Sequence, residues 1–305
     1  MPTRRGAMLG LAAGGLAASL GSRALARSAD EPARVACTDW TGSETLLALG
    51  IVPAGVIDRV GYGRMMVEPA LPASVAELGA GWAPNVEMLQ HLQPDAILIP
   101  QWSVRQPQLA RIAPIVILQN RSEKLDAIDT AKRQLPELAA RFGAPRAAQE
   151  IIARFDAELQ AIRDGRTAVD DRPIAYLTLN PDGRNVSIAT ATSLFDDVVR
   201  RLGLRNAWEQ QANIWSFYVT GVEQLAKIPE ARLIYADQGP RTEAALRRLA
   251  ENRIWNSLPA VREGRVGPIP ASYPYGSLPT ALRLARMLAQ EASRLSRPPV
   301  APAHG

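Results

Sequence analysis

The side chains of this sequence that are placed to do chemistry are aromatic rings and glutamates, and the chemistry they suit is capture rather than reaction. Trp208, Trp215, Phe217 and Tyr218 crowd a stretch of loop-like polarity around Glu209-Gln210-Gln211-Ala212-Asn213, and Tyr273-Pro274-Tyr275-Gly276 forms a second cluster. Tyr62, Trp82 and Trp102 fall just after predicted strands or in loops bearing Gly or Pro. Core packing is the simpler account of any single loop aromatic. Several of them in the strand-following loops of an α/β protein face one crevice, where they make a broad apolar platform for a large ligand. No nucleophile elbow, P-loop or metal-ligand spacing occurs, so the sequence offers no handle for an enzyme. Gly61-Tyr62-Gly63 and Gly79-Ala80-Gly81 each lack the third small residue of a dinucleotide fingerprint and read as loop glycines.

A repeated cassette supplies the elements that would position these rings. Val86-Glu87-Met88-Leu89, Leu92 and Pro94-Asp95-Ala96 running into Ile97-Leu98-Ile99 is echoed by Val222-Glu223-Gln224-Leu225, Ile228 and Pro229-Glu230-Ala231 running into Leu233-Ile234-Tyr235. Each copy reads as a short helix opening with a glutamate, a proline that stops it, and an apolar run that becomes a buried strand. Upstream of each, Ser43–Ile51 and Ser193–Leu204 end a helical pattern in Leu-Gly-aliphatic, with Gly50 and Gly203 where a helix end favours a left-handed residue. The expected fold is therefore α/β, with two similar lobes, each a central, mostly parallel sheet flanked by helices. Residues 27–120 form the first lobe and 173–296 the second. Between them, 121–172 is helical, broken near Gly143-Ala144-Pro145, and Arg146–Arg163 places Ile151, Ile152, Phe155, Leu159 and Ile162 at helical spacing for one long spine helix. A cleft between the lobes is the natural binding site.

Glu87 and Glu223 each open a helix. Helix capping accounts for either alone, Thr220-Gly221-Val222-Glu223 reading as a capping box; the same placement in both lobes also suits a pair of docking points.

The ends and the charge narrow the setting. Thr3-Arg4-Arg5-Gly6-Ala7-Met8-Leu9, the weakly apolar stretch to Leu20 and Ala24-Leu25-Ala26 resemble a twin-arginine export signal over residues 1–26, with cleavage near Ala26 and a periplasmic product. The Pro-rich segment 297–305 reads as a disordered tail. The formal charge of +5 falls to about +2 once Arg4, Arg5 and Arg23 leave with the signal, and no polybasic run remains to bind nucleic acid. Cys37, the only cysteine, reads as a small buried hydrophobe on the first strand, and with two histidines, His91 and His304, there is no ligand set for a resident metal. No cofactor is expected, and any metal handled here arrives already chelated.

Taken together, Leu46-Leu47-Ala48-Leu49-Gly50-Ile51-Val52-Pro53, Glu68-Pro69-Ala70-Leu71-Pro72, Ala110-Arg111-Ile112-Ala113-Pro114, Asn206-Ala207-Trp208 with Trp215 downstream, and Tyr273-Pro274-Tyr275-Gly276 resemble the periplasmic ferric-hydroxamate siderophore-binding proteins of the FhuD type, among the substrate-binding proteins of cobalamin and siderophore importers. The resemblance covers nearly all of the mature chain. It implies a monomeric, non-enzymatic carrier with a shallow aromatic cleft and limited closure, delivering an Fe(III)-siderophore to an inner-membrane ABC permease with its ATPase. It implies pocket roles for Trp208, Trp215 and Tyr275, with Tyr273 standing where the family has tryptophan. It also puts Glu87 and Glu223 where the family's glutamates meet permease arginines. Departures fall in the first lobe: the family's hydroxamate-binding arginine falls at Gly81, a pocket tryptophan at Met65, and a pocket tyrosine near Ser103, beside Trp102. Arg64 or Arg105 is then expected to supply the missing cation. The alternatives are another large chelate (cobalamin, haem or a mixed-ligand siderophore) in the same cleft, or an exported enzyme that processes the chelate.

Overall fold

Short apolar runs become strands because their β-branched residues can bury both faces of a covered sheet. The structure, a computed structural model, describes residues 33–80, 83–103, 106–120, 126–166, 171–210 and 215–296. The export signal, the tail, Gly81, Trp82 and Arg105 lie outside the described residues. The first lobe runs β1 (Val35–Cys37), α1 (Trp40–Ala48), β2 (Gly55–Val56), α2 (Arg59–Met65), β3 (Ala76–Glu77), α3 (Val86–Leu92), β4 (Ala96–Pro100) and β5 (Ile115–Leu118). Its sheet is wholly parallel, in the order β3-β2-β1-β4-β5. Then come α4 (Ala127–Arg141) and α5 (Ala147–Asp164). The second lobe contains β6 (Ile174–Leu179), β7 (Asn185–Ala189), α6 (Leu194–Arg201), β8 (Phe217–Gly221), β9 (Arg232–Asp237), α7 (Pro240–Ala250), α8 (Arg253–Ser257), α9 (Pro259–Arg262), β10 (Val266–Pro270) and α10 (Leu278–Leu295). Here the order is β10-β9-β6-β7-β8, with β7 antiparallel to both neighbours.

The element ends follow the expected local chemistry. Gly50 and Gly203 adopt φ of +77° and +70°, and the amides of Ile51 and Leu204 return to the carbonyls of Leu46 and Val199, closing α1 and α6 in the same way. Gly143, at φ +84°, separates α4 from α5. Helix α5 buries Ala148, Ile151, Phe155 and Leu159 and packs along α4 and α10 as the spine. One core of buried residues runs from β1 through α5 to β6 and α10, and Cys37 lies inside it, its thiol pushed up to about 12 chiefly by burial. The edge of β5 is blocked by Gln134, whose amide donates to Ile117 and accepts from the Gln119 N–H.

Two local expectations need correction. Gly61-Tyr62-Gly63 lies in α2 rather than in a loop, and Gly61 is required there because a Cβ would stand 2.1 Å from Asp58 Oδ2 and 2.4 Å from the Trp40 ring. Val222–Lys227 is a 3₁₀-helix without a capping box, because Thr220 is held in the β7–β8 ladder and the N-cap position falls to Gly221.

The two lobes are joined by buried hydrogen bonds as well as by the core. Ser277, at the N-cap of α10, makes no side-chain cap of its own. Glu44 of α1 does this work from the other lobe: one carboxylate oxygen accepts from the Ser277 N–H at 2.8 Å, the other from the Thr280 N–H and hydroxyl at 2.5 and 2.6 Å. Asp39 caps α1 through the N–H groups of Thr41 and Gly42, and its second oxygen accepts from the Tyr273 hydroxyl at 3.1 Å. Thr41 donates its hydroxyl to the Tyr275 carbonyl at 2.9 Å. Both carboxylates are buried. Burial raises Glu44 to about 7, against the lowering effect of the bonds from Ser277 and Thr280, and the nearby Asp39 charge pushes the same way. Asp39 is raised as well, by burial.

A carboxyl group whose folded value exceeds its unfolded one stabilises the fold fully below pH 4.5 and loses that contribution as pH rises through about 7. Unfolding free energy, measured in urea, is therefore expected to fall between pH 5 and pH 8 by an amount on the order of 3 kcal/mol. Glu44→Gln should shrink that slope, and an unchanged slope in the variant would remove Glu44 from the account.

Candidate functional site

The residues that follow β1 and β4 in the first lobe meet those that precede β8 and follow β10 in the second. Trp102 stands on a 3₁₀ turn (Gln101–Ser103) directly after Pro100 ends β4. Its ring lies 5.4 Å from Tyr275 and 6.3 Å from Trp215 between centroids, and Trp215 lies 6.4 Å from Tyr275. The tilts of 59° to 69° are the edge-to-face arrangements that ring quadrupoles favour. These three aromatics, one from the first lobe and two from the second, form the exposed face of the site. Trp215 is 44 % exposed, and its carbonyl accepts the Tyr275 hydroxyl at 3.0 Å. The Trp102 indole N–H is shielded from solvent and has no hydrogen-bond partner among the described residues, which leaves a donor at the lobe junction.

A second tier backs this face. Tyr273 is buried, 5.6 Å from Tyr275 and 5.0 Å from Trp40. Trp40 is pinned by its indole N–H to the Ile57 carbonyl at 3.0 Å. Tyr62 is fully buried in the same cluster, with Met66 and Tyr273, and donates its hydroxyl to the Pro69 carbonyl at 2.8 Å. Met65 packs half-buried against it. The hydroxyls of Tyr62 and Tyr273 are both raised, first by burial and then by the neighbouring carboxylates, so they remain neutral donors.

The expected site residues thus separate by place. Trp102, Trp215, Tyr275 and Tyr273 come together, and Met65 and Ser103 stand beside them, Ser103 half-buried on the turn that carries Trp102. Tyr62 differs from its expectation as a loop residue facing a ligand: α2 turns it into the core, where it supports Tyr273. Trp208 differs too. It is 3 % exposed in the core of the second lobe, stacked on Tyr218 at 5.8 Å, because Asn206 bonds its backbone and tucks the ring beneath β8. Arg64 is exposed in the last turn of α2. Trp82 and Arg105 lie outside the described residues. Trp40, Asp39 and Glu44 were not singled out from the sequence. Trp40 carries the signal used for the others, an aromatic just after a strand, whereas nothing local marks the two carboxylates.

Glu87 and Glu223 are both exposed in the first turns of their helices. Asn85 caps α3, accepting from the Met88 N–H at 3.0 Å, and neither glutamate side chain makes a hydrogen bond or ion pair among the described residues. Among those residues no cluster of His, Cys, Asp or Glu is placed to hold a metal ion. No cation sits over a ring of the aromatic cluster among them. Such a site can grip a bulky, weakly charged body through ring faces and a few donors.

Comparison with known proteins places this geometry. A family model described as "Periplasmic binding protein" matches residues 35–273. The iron(3+)-hydroxamate-binding protein FhuD of Escherichia coli (strain K12) is 29% identical over 265 residues, 86% of this chain and 87% of that one. The structure of the siderophore-binding protein FhuD from Vibrio cholerae, bound to Fe3+-Desferal, superposes with a TM-score of 0.79 at 26% identity, covering 88% of this chain and 100% of that one. The triscatecholate siderophore-binding protein FeuA from Bacillus subtilis, in complex with ferri-bacillibactin, shares the fold with a TM-score of 0.68 at 20% identity, over 85% and 93% of the two chains.

Replacing Tyr275 by Phe removes one neutral hydrogen bond, worth no more than about 1 kcal/mol at a half-exposed position. The expected result is a small drop in melting temperature with a red shift of tryptophan emission as Trp215 loosens. Emission and melting temperature both identical to the parent would show that the bond does not hold Trp215.

Proposed function

This chain belongs to the periplasmic binding protein family, and we propose that within it the chain captures a ferric siderophore of the hydroxamate type and delivers it to an inner-membrane ABC permease and its ATPase. The observation that carries this reading is the junction of Trp102 with Trp215 and Tyr275, which gathers aromatic area from both lobes at one point. A ferric tris-hydroxamate is bulky and roughly neutral, and its iron is saturated by its own oxygens. The protein then needs ring faces and a few donors, and no direct iron ligand.

Charge supports hydroxamate over catecholate. A triscatecholate complex carries several negative charges, and no cation sits over the rings among the described residues to offset them. The Escherichia coli and Vibrio cholerae relatives, named for or bound to iron–siderophore ligands, support the same choice. The chain acts as an exported, monomeric carrier and not as an enzyme; the twin-arginine reading of residues 1–26 supports export to the periplasm. Glu87 and Glu223 serve as one docking point per lobe. Their exposure and their freedom from capping support that role.

Titrating the mature protein with ferric desferrioxamine B, ferrichrome, a ferric triscatecholate, cobalamin and haem tests the ligand. Saturable one-to-one quenching of tryptophan emission is expected with the hydroxamates, weakened at least about tenfold by the Trp102→Ala, Trp215→Ala pair without loss of fold. Absence of saturable binding to every ferric hydroxamate would sink the assignment, and tight binding of cobalamin or haem would redirect it. For docking, reversing both glutamates to lysine should leave ligand affinity and melting temperature near the parent's while abolishing cellular uptake of the ferric siderophore. Normal uptake by the well-folded double variant would rule the docking role out.

A further inference from the structure

The residue after Trp215 is in an unusual state. Ser216 has φ of +60°, a left-handed conformation that costs a non-glycine residue through the clash of its Cβ with the backbone, yet it is 3 % exposed and heavily bonded. Its carbonyl accepts from both the N–H and the hydroxyl of Thr190, at 3.2 and 3.0 Å. Its own hydroxyl donates to the Thr192 carbonyl at 3.1 Å and stands 3.1 Å from the Thr192 hydroxyl. The anchor is itself fixed, because the Thr190 carbonyl accepts from the N–H and hydroxyl of Ser193, the N-cap of α6. The surroundings therefore hold Ser216 in a conformation it would not choose.

The consequence falls on Trp215. In an extended continuation of β8, residues 215 and 217 would project to the same face of the sheet. Phe217 packs against the core on that face. The left-handed residue between them breaks the alternation and releases Trp215 from the inward face, so that its ring stands exposed beside Trp102 and Tyr275. Backbone strain held at such a point is spent on geometry, not on stability.

We infer that Ser216, clamped by Thr190 and Thr192, is a positioning residue that presets the Trp215 ring in its ligand-gripping orientation. The affinity part of this inference rests on the siderophore reading; the orientation part does not. Preorganisation of this kind raises affinity by removing an ordering cost from the binding step.

The test uses Ser216→Gly and Ser216→Ala in mature protein labelled with 5-fluorotryptophan, the Trp215 resonance being assigned with Trp215→Phe. Glycine relieves the strain and frees the turn. Its variant loses the hydroxyl bonds but relieves the strain, so it should melt above the alanine variant, while the Trp215 fluorine signal broadens or splits and affinity for ferric desferrioxamine B falls about tenfold, below that of the alanine variant. Alanine deletes the same hydroxyl bonds and keeps the strain, so it should melt lowest of the three and broaden the same signal. A merely structural Ser216 would make affinity follow melting temperature, leaving the glycine variant tighter than the alanine variant. A single sharp Trp215 resonance in the glycine variant, or broadening with unchanged affinity where the parent binds, overturns the inference. A parent that binds no chelate overturns the ligand reading instead, and the fluorine spectra still decide the role of Ser216.

Discussion

The rest of this structure depends on a buried carboxylate that caps a helix belonging to the opposite lobe. Glu44 rises from α1 and satisfies the first N–H groups of α10, more than 230 residues away in sequence. Burying a carboxylate is costly unless its oxygens are met by donors, and here donors from the backbone and from Thr280 meet them. An apolar contact would tolerate sliding between the lobes; three directed bonds to one carboxylate do not. Asp39 and Thr41, on the same turn of α1, bind Tyr273 and the Tyr275 backbone and carry that constraint directly into the aromatic site. The angle between the lobes and the place of the exposed rings are thus set by one group of contacts.

That arrangement suits a carrier that must hold and release a bulky cargo without consuming it. The rings come from both lobes, so cargo seated among them would sense both at once. The Trp102 N–H, without a partner among the described residues, supplies a donor without fixed charge. For the proposed chelate, specificity in such a site rests on shape and ring contact, since the iron and its charge would be enclosed by the chelate.

The lobes share a plan and differ where function needs it. Both close a helix in Leu-Gly-aliphatic, and both follow an apolar core strand with a loop that carries an aromatic. The first sheet is wholly parallel, whereas the second inserts the β6-β7-β8 meander. That meander puts β8 at an edge and Ser216 and Trp215 at its start, against the Thr190–Ser193 turn. The same edge leads into the turn bearing Glu223, so the proposed docking point and the proposed ligand-gripping ring lie on one short segment.

Much of this was legible in the sequence because it is written in local chemistry. Apolar runs such as Ala96–Ile99 and Ile174–Leu179 determine buried strands by burial alone; Gly50 and Gly203 determine helix ends because few other residues accept φ near +70°. The spacing of Ile151, Phe155 and Leu159 determines a spine helix, and the aromatic loops determine a site of rings. What the sequence did not determine is which rings face outward. Tyr62 and Trp208 carry the same local signals as Trp102 and Trp215, yet α2 and the floor of β8 turn them inward, a choice made by packing against residues far along the chain. Asp39 looks like an ordinary helix cap and Glu44 like any mid-helix glutamate until α10 arrives over them, and Ser216 looks like any serine until Thr190 and Thr192 close on it. Such contacts have no period and no fixed spacing, so only the tertiary structure could decide them.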